Sequence, residues 1–417
     1  MSGSSKEKWK SKAARQQLVD MAKHNMTLAR EDTIDLAPSV MQVPASYYTD
    51  EERYQQEVDK IFKRVPLMLA TTPELSEPGD YKAMKVAGLP VLILRQKDGE
   101  ISAFINSCSH RGAQIVMDGT GKAPSRLVCP YHAWTFDQKG KLVGVAAAEE
   151  FGEIDKSCYG LTELQAFERA GLIWVNVDPD SNIEIENFLA GYDEILNEFD
   201  FENWILFDQR TIKGPNWKTA YDGYLDLYHL PVLHKETFGP NMSNQAQYYS
   251  WGPHQRAVSP SRSIDNHLDS IPEDDWPSSI LLLGVWTIFP HISIASFDGG
   301  GRGVMVSQLM PGETVGESYT TQYYLMETPP TPEQEVEANK QFKLLEYVVE
   351  TEDYGTGKRQ FDALAAGTRD HVLFGRNEGG GQRFHGWVDR LIEADDEELN
   401  DIFANAEFIA APREAAE

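Results

Sequence analysis

Cys108-Ser-His110 and, after eighteen intervening residues, Cys129-Pro-Tyr-His132 decide how this chain is read. Two thiolates and two imidazoles, delivered as a C-x-H pair and a C-x-x-H pair from separate loops, make a four-ligand metal site. Zinc is the usual occupant of tetrahedral S2N2 sites. Zinc fingers, however, group cysteines in one pair and histidines in the other, whereas each loop here supplies one of each. That mixed pairing suits a [2Fe–2S] cluster in which one iron takes both cysteines and the other both histidines. Pro130 fixes φ beside a ligand, and Gly112, Gly119, Gly121 and Gly140 supply turns, so the loops read as tips of a small antiparallel β unit. Val91–Leu94, Ile101–Ile105 and Ala133–Phe136 are its legible strands, with Lys139-Gly140 as a hairpin turn.

The longer stretches Asn106-Ser-Cys108-Ser-His110-Arg-Gly-Ala113 and Cys129-Pro-Tyr-His132-Ala-Trp134-Thr-Phe136 resemble the Rieske motif of the Rieske non-haem iron ring-hydroxylating oxygenases, α subunit.

At 417 residues the chain is too long for one small β domain and implies two, with ample core. Its 41% apolar and 11% aromatic content is that of a globular enzyme. The N-terminus is polar and no apolar run reaches a membrane-spanning length, so neither a membrane span nor a secretory signal is expected. Three cysteines, two of them in the motif, leave Cys158 alone as a structural thiol and point to a reducing cytoplasm. A net charge of −27 disfavours nucleic acid and anionic membrane as partners. Between Asp80 and Val145, nine basic residues stand against five acidic ones. Such a basic collar suits docking of an acidic electron donor. Scattered solvated charge is the alternative.

The second constellation is Asp222-Gly-Tyr-Leu-Asp226-Leu-Tyr-His229-Leu-Pro-Val-Leu-His234. On a helix, Asp222, Asp226 and His229 share one narrow face. His234 reaches the same metal only if the helix breaks between the histidines, and Pro231 is the expected place. Two neutral imidazoles plus a carboxylate, with open positions left over, is the facial arrangement used by non-haem Fe(II). Asp226 is placed to accept the N–H of His229 and fix its tautomer. The carboxylate must come from elsewhere. Pro332–Ala366 is the longest helical pattern, and Asp353 lies in its apolar stripe with Leu345 and Val349, continued by Gly357, Gln360 and Leu364. An unpaired charge there is costly, and a cation would supply the partner. Glu352 on the adjoining stripe is the rival ligand, and Asp362 a poorer one.

Around these motifs, Ala14–Met26 and Asp50–Phe62, the latter capped by Thr49 or Asp50, read as helices of an N-terminal arm that packs on a neighbouring domain or subunit. Ala170–Val177 reads as a buried strand and Phe188–Phe199 as a short helix. Ile280–Pro290, Ile292–Phe297, Val304–Met310 and Tyr319–Met326 read as strands. His291 and His385 read as structural histidines, whereas His254 and Arg256 are candidates for binding an anionic substrate group.

Asn216-Trp217-Lys218 followed by D-x-x-H-x4-H also resembles the oxygenase family, with one departure: many members have Glu-Asn where this chain has Tyr221-Asp222. The resemblance implies an α+β architecture. A small antiparallel β Rieske domain joins a helix-grip catalytic domain, whose curved antiparallel sheet surrounds a long C-terminal helix. Residues 1–54 are expected to form a helical arm belonging to the catalytic domain, 55–178 the Rieske domain and 179–417 the mononuclear iron domain. It implies a [2Fe–2S] cluster on Cys108, His110, Cys129 and His132, and Fe(II) on His229, His234 and Asp353, with Asp226 as the inter-subunit electron-transfer bridge. The family's acidic pair followed by glutamine is similar to Glu352-Asp353 with Gln360 and points to the second acid. O2 is then the co-substrate. Electrons come from NAD(P)H only indirectly, through a flavin reductase, a ferredoxin or both, because no nucleotide-binding G-x-G-x-x-G follows a strand. A homotrimer is implied, with or without a β subunit, acting on a small organic, aromatic substrate. A monooxygenase or demethylase for a steroid or N-methyl compound is the alternative within the class. A Rieske electron carrier without oxygenase activity is the alternative outside it.

Overall fold

The computed structural model describes residues 9–406 and 408–409; residues 1–8 of the expected arm and 407 and 410–417 of the expected catalytic part lie outside the described residues. The cluster region is built on β1 (Leu67–Thr71), β2 (Asp80–Val86), β3 (Leu89–Arg95) and β4 (Ile101–Ile105). It continues with β5 (Arg126–Val128), β6 (Thr135–Asp137), β7 (Leu142–Gly144), β8 (Ala166–Arg169) and β9 (Leu172–Val175). β2, β3 and β4 are neighbours in a five-stranded antiparallel sheet edged by Gly119–Lys122 and Glu163–Leu164, β5–β6–β7 form a small meander, and β8–β9–β1 a third sheet.

β3 explains why the run Val91-Leu-Ile-Leu94 is apolar on both faces. Leu92 and Leu94 pack with Phe104, Cys108, Cys129 and Trp134 under the ligand loops, while Val91 and Ile93 point the other way into the main core of the molecule. A strand covered on both sides loses the polar alternation of a half-exposed one. The hairpin at Gly140 has φ 77°, and a Cβ there would lie 2.5 Å from the Phe104 ring, so both backbone and space require glycine.

Several expected boundaries move for local reasons. β6 starts at Thr135 rather than Ala133, because Ala133 is left-handed at φ 55° and closes the ligand loop. β9 starts at Leu172, after the Ala170-Gly171 turn. The expected helix Phe188–Phe199 is two short ones, Ile185–Leu189 and Tyr192–Leu196, parted at Ala190 and Gly191, both with positive φ. The basic collar is thinner than its composition implies: Lys82 and Arg95 are buried, bonded to Glu74 and Glu168 respectively. Cys158 is exposed, so it is no core thiol.

The arm contributes α1 (Lys12–Glu31), whose N-cap Ser11 accepts from Ala14, and α2 (Glu51–Glu57), capped by Asp50. α1 is held by the two-pronged contact of Arg30 with Asp265, at 3.0 and 2.7 Å. α2 ends on Glu57, fully buried, which accepts from Trp217 Nε1 at 2.9 Å and from the Lys218 ammonium. Removing either charge would strand the other in the core.

Apart from a two-stranded pair, Met41–Pro44 with His371–Phe374, the remaining strands form one eight-stranded antiparallel sheet. Its strands are β10 (Ile205–Gly214), β11 (Gln247–Trp251), β12 (His254–Val258), β13 (Val285–Ile288), β14 (Ile292–Asp298), β15 (Arg302–Pro311), β16 (Ser318–Met326) and β17 (Phe408–Ile409). They lie in the order β10-β16-β15-β14-β13-β12-β11-β17. The expected strand Ile280–Pro290 shrinks to β13, preceded by a helical turn at Ser278–Leu281. Across the sheet lie α3 (Trp217–Leu225), α4 (Leu230–Leu233), α5 (Pro332–Tyr347), α6 (Tyr354–Ala365) and α7 (Gly379–Glu393). α5 and α6 are one long helix interrupted by a π turn at Val348–Asp353. This is an α+β molecule, and no helix among the described residues is long and apolar enough to cross a membrane.

His254 and His291 are structural. His254 donates from Nε2 to the Phe188 carbonyl and accepts the Phe289 N–H at Nδ1, and His291 Nε2 accepts the Met68 N–H. Arg256 likewise spends its guanidinium on the Leu281 and Leu283 carbonyls, so this pair is not available to a substrate anion. Burial pushes the pKa of His254 down to about 4 and that of His291 to about 3. An unfolded histidine titrates near 6.5. Between that value and the depressed ones the unfolded chain binds protons that the folded chain refuses, so stability rises with pH across the window and is lost as pH falls through it. Each histidine contributes a few kcal/mol. The urea midpoint is expected to drop steeply from pH 6.5 to 4, less so in His291→Gln; equal slopes would remove His291 as a cause.

Candidate metal centres and substrate cavity

The first centre is two tight loops facing each other. Asn106, fully buried after β4, accepts at Oδ1 from the N–H groups of Ile115 and Val116 and donates to the Val116 carbonyl, which folds the first loop back on itself. The Cys108 N–H then donates to Ala113 O and the Gly112 N–H to Cys108 O. The second loop repeats the device: Cys129 N–H to Trp134 O, Ala133 N–H to Cys129 O. Cys108 and Cys129 are buried side by side; burial pushes the Cys108 thiol up, and the backbone N–H groups of His110 and Arg111 aimed at its sulfur pull it down. The His110 ring stacks on Trp134 at 4.9 Å and meets the His132 ring edge-on at 4.8 Å. His132 Nδ1 is buried with no hydrogen-bond partner, which a metal bond would supply. This donor set fits a cluster held by two sulfurs and two nitrogens.

The second centre begins at the end of α3. Asn216 caps this helix, accepting from Lys218 N–H while its amide donates to Tyr48 O and Val315 O. The helix stops at Leu225, not at Pro231 as the spacing suggested, because Asp226 leaves helical geometry and its carboxylate takes the Tyr228 N–H at 2.6 Å. A side chain bonded to the backbone two residues on is a turn-former competing with the helix. Pro231 then sits in the first turn of α4, where its missing N–H costs nothing.

This break brings the two histidines together. His229 Nδ1 bonds Asp226 Oδ2 at 3.1 Å and His234 Nδ1 bonds Glu352 Oε2 at 2.9 Å. Both Nε2 atoms point to Asp353 Oδ1, at 3.5 and 3.2 Å. One donor atom from each of His229, His234 and Asp353 lies within 4.8 Å of the others. A carboxylate on each Nδ1–H leaves the Nε2 lone pairs free for a cation. Burial disfavours a charged His229, but the hydrogen bonds to Asp226 and Asp353 outweigh it and push its pKa up to about 9. A positive charge is therefore favoured here, and a two-histidine, one-carboxylate set suits ferrous iron. Glu352, the rival ligand, faces the back of His234 and also accepts from Thr237. Asp362 and Gln360 are exposed on α6, away from this cluster. The π turn shifts the helical register just where the acidic pair stands.

One network had no counterpart in the sequence reading. Tyr48 donates to Asp222 at 2.7 Å, and His385 Nε2 bonds Asp222 and Tyr48, each at 3.0 Å. The Asp222 departure made this position visible, but nothing local linked it to residues 174 positions before and 163 after it.

The triad opens on a cavity of about 500 Å³ between the sheet and the π turn. Tyr224, Phe238, Phe297, Leu345, Val348 and Val349 are among its walls. Metal and substrate chemistry can therefore share one chamber.

Two family models match this chain: a Rieske [2Fe-2S] domain over residues 65–166, and a ring hydroxylating alpha subunit catalytic domain over residues 201–394. A carnitine monooxygenase oxygenase subunit from Acinetobacter baumannii is 33% identical over 196 residues, 46% of this chain and 52% of that protein. The alpha subunit of a 2-aminobenzenesulfonate 2,3-dioxygenase from Alcaligenes sp. is 34% identical over 190 residues, 44% of this chain and 47% of its own. The chain thus spans about half the length of the curated relatives it matches. A crystal structure of a quaternary ammonium Rieske monooxygenase with a bound inhibitor superposes with a TM-score of 0.73 at 23% identity, covering 85% of this chain and 97% of that one. With both domain types matched in one chain, and a candidate ligand set facing a cavity in the second, this chain carries a Rieske [2Fe-2S] domain and the catalytic domain of a ring hydroxylating alpha subunit.

Proposed function

We propose that this chain is the terminal oxygenase component of a multi-component Rieske oxygenase. The observation that carries the reading is the pair of Nε2 atoms converging on Asp353 Oδ1 at the wall of a cavity, each histidine held from behind by a carboxylate. In this reading Cys108, His110, Cys129 and His132 hold the [2Fe–2S] cluster, and His229, His234 and Asp353 hold Fe(II). Fe(II) held by these three residues would supply O2 activation for oxygenation of a substrate in the chamber. Asp226 fixes the Nδ1–H tautomer of His229 and turns the chain out of α3. The apolar walls exclude water and position the substrate.

Among the described residues no hydrogen bond, ion pair or ring contact joins Asp226 to the four cluster residues. In this reading Asp226 bridges chains, in a homotrimer in which one subunit's cluster serves its neighbour's iron. A ferredoxin or flavin reductase supplies electrons from NAD(P)H. The working division into 1–54, 55–178 and 179–417 is supported by the two family matches, which fall inside the second and third parts. The carnitine-named relative supports oxidation at an N-methyl group and the aminobenzenesulfonate-named one oxidation of a ring. The test is oxygen uptake by the iron-replete protein with a reductase, across N-methyl, aromatic and steroidal compounds, with products identified by mass spectrometry. Substrate-dependent uptake with an oxygenated product is expected. Iron confined to the cluster, with no uptake, would leave only an electron carrier.

A further inference from the structure

The sheet that floors the cavity is not uniformly apolar. β13 to β16 obey a two-residue period: Trp286, Ile288, Ile292, Ile294, Val304, Val306, Tyr323 and Leu325 enter the main core, and the residues between them face the other way. On that face the cross-strand partners line up in rungs. One rung, Val285–Ala295–Met305–Tyr324, has an apolar cavity face. The next is polar throughout: Thr287 pairs with Ser293, Ser293 with Ser307, Ser307 with Gln322, and Gln322 with Arg210 on β10. Ser293, Ser307 and Gln322 line the cavity, each at least 94% buried.

Buried polar groups cost free energy unless bonded. Arg210 lies behind Gln322, stacked on Phe342 at 3.8 Å, and its Nε donates to Gln322 Oε1 at 2.8 Å. A guanidinium can only donate, so this bond fixes which end of the amide is which: the oxygen faces Arg210 and the NH2 group faces away. Among the described residues that NH2 has no other side-chain partner. A cationic donor on the carbonyl also polarises the amide and strengthens its N–H groups. Ser307 lies near the Tyr224 hydroxyl, which is itself bonded to Tyr354, while the Ser293 hydroxyl has no partner among the described residues.

We infer that this rung, centred on Gln322, is the recognition wall of the chamber and takes an uncharged substrate that carries a hydrogen-bond-accepting oxygen, a carbonyl or carboxamide. A carboxylate is disfavoured because, among the described residues, the lining holds no lysine or arginine and its only histidines are His229 and His234. Carnitine-like zwitterions would bury that anion against neutral donors alone. The inference rests on the cavity being the substrate chamber, and it needs no turnover.

The test is therefore binding, by calorimetry on the full-length, iron-loaded protein without reductant, using indane, 1-indanone and indane-1-carboxylate. The ketone is expected to bind about tenfold more tightly than indane, the effect of roughly one good hydrogen bond. It should also bind more tightly than the carboxylate. Gln322→Leu should bring the ketone-to-indane ratio near one, and Ser293→Ala, a milder change that keeps the packing, should lower it by a smaller factor. An unchanged ratio in both variants, a carboxylate that binds most tightly, or no binding of the ketone would overturn the assignment. Absence of oxygen uptake with intact ketone selectivity would instead fault the oxygenase reading.

Discussion

Asp353→Ala is expected to abolish detectable substrate-dependent oxygen uptake while the protein keeps the visible absorbance and electron paramagnetic resonance of its cluster. The reason is geometric. Asp353 Oδ1 is the one atom to which both Nε2 atoms point, so its removal leaves two imidazoles and no anion to balance a divalent cation. Iron content should fall by one per chain. Glu352→Gln separates ligand from support. Glu352 is bonded to His234 Nδ1 and Thr237. The amide can still accept those bonds but carries no charge to hold the imidazole tautomer. Such partners are worth about 10- to 100-fold in metal affinity, so excess ferrous iron should rescue Glu352→Gln and not Asp353→Ala. Rescue of both by iron, or equal failure of both, would mean the acidic pair is assigned wrongly.

The candidate cluster residues could be singled out in the sequence because each loop closes within a few residues and carries its own turn formers. Asp353 could be singled out because it interrupts an apolar stripe, and it does stand beside His229 and His234. The break between the two histidines was foreseen but misplaced, since Pro231 is the louder helix breaker, while the Asp226 carboxylate ends α3 by bonding the Tyr228 N–H. The π turn at Val348–Asp353 was invisible because a period near four still placed Leu345, Val349 and Asp353 together, and all three do line the cavity. Its register shift left Gln360 exposed. What no local pattern carries is partnership at a distance. Glu352 behind His234, Tyr48 and His385 on Asp222, and the rung from Thr287 to Arg210 arise only when the strands acquire their register. In the sequence Ser293, Ser307 and Gln322 are merely the polar members of alternating strands, and which face of the sheet is roofed by a helix is a tertiary property.

Asp226→Asn is expected to lower steady-state oxygen uptake by about 10- to 100-fold with both iron centres in place. The substitution is informative because of what it keeps. The carboxylate uses both oxygens, Oδ1 for the Tyr228 N–H and Oδ2 for His229 Nδ1, whereas an asparagine has one acceptor oxygen; it can keep the turn at the end of α3 while its NH2 group faces His229. What disappears is the negative charge, and with it the stabilisation of a proton on the imidazole or on a partner across a subunit boundary. The surface around this point suits such a boundary: Tyr228 is 54% and Val232 75% exposed, and beside the cluster loops Val128 and Tyr131 are 50% and 59% exposed. Isolated apolar side chains are ordinary on surfaces, but these stand close in sequence to the residues of the two candidate centres, where the proposed transfer between chains would need a contact. Stopped-flow absorbance of a prereduced protein mixed with oxygen and substrate reads the step directly. In Asp226→Asn the cluster should stay reduced far longer than in the parent protein, with its midpoint potential unchanged. Reoxidation at the parent rate would confine Asp226 to shaping the end of α3, and the path from cluster to iron would then have to cross another side chain.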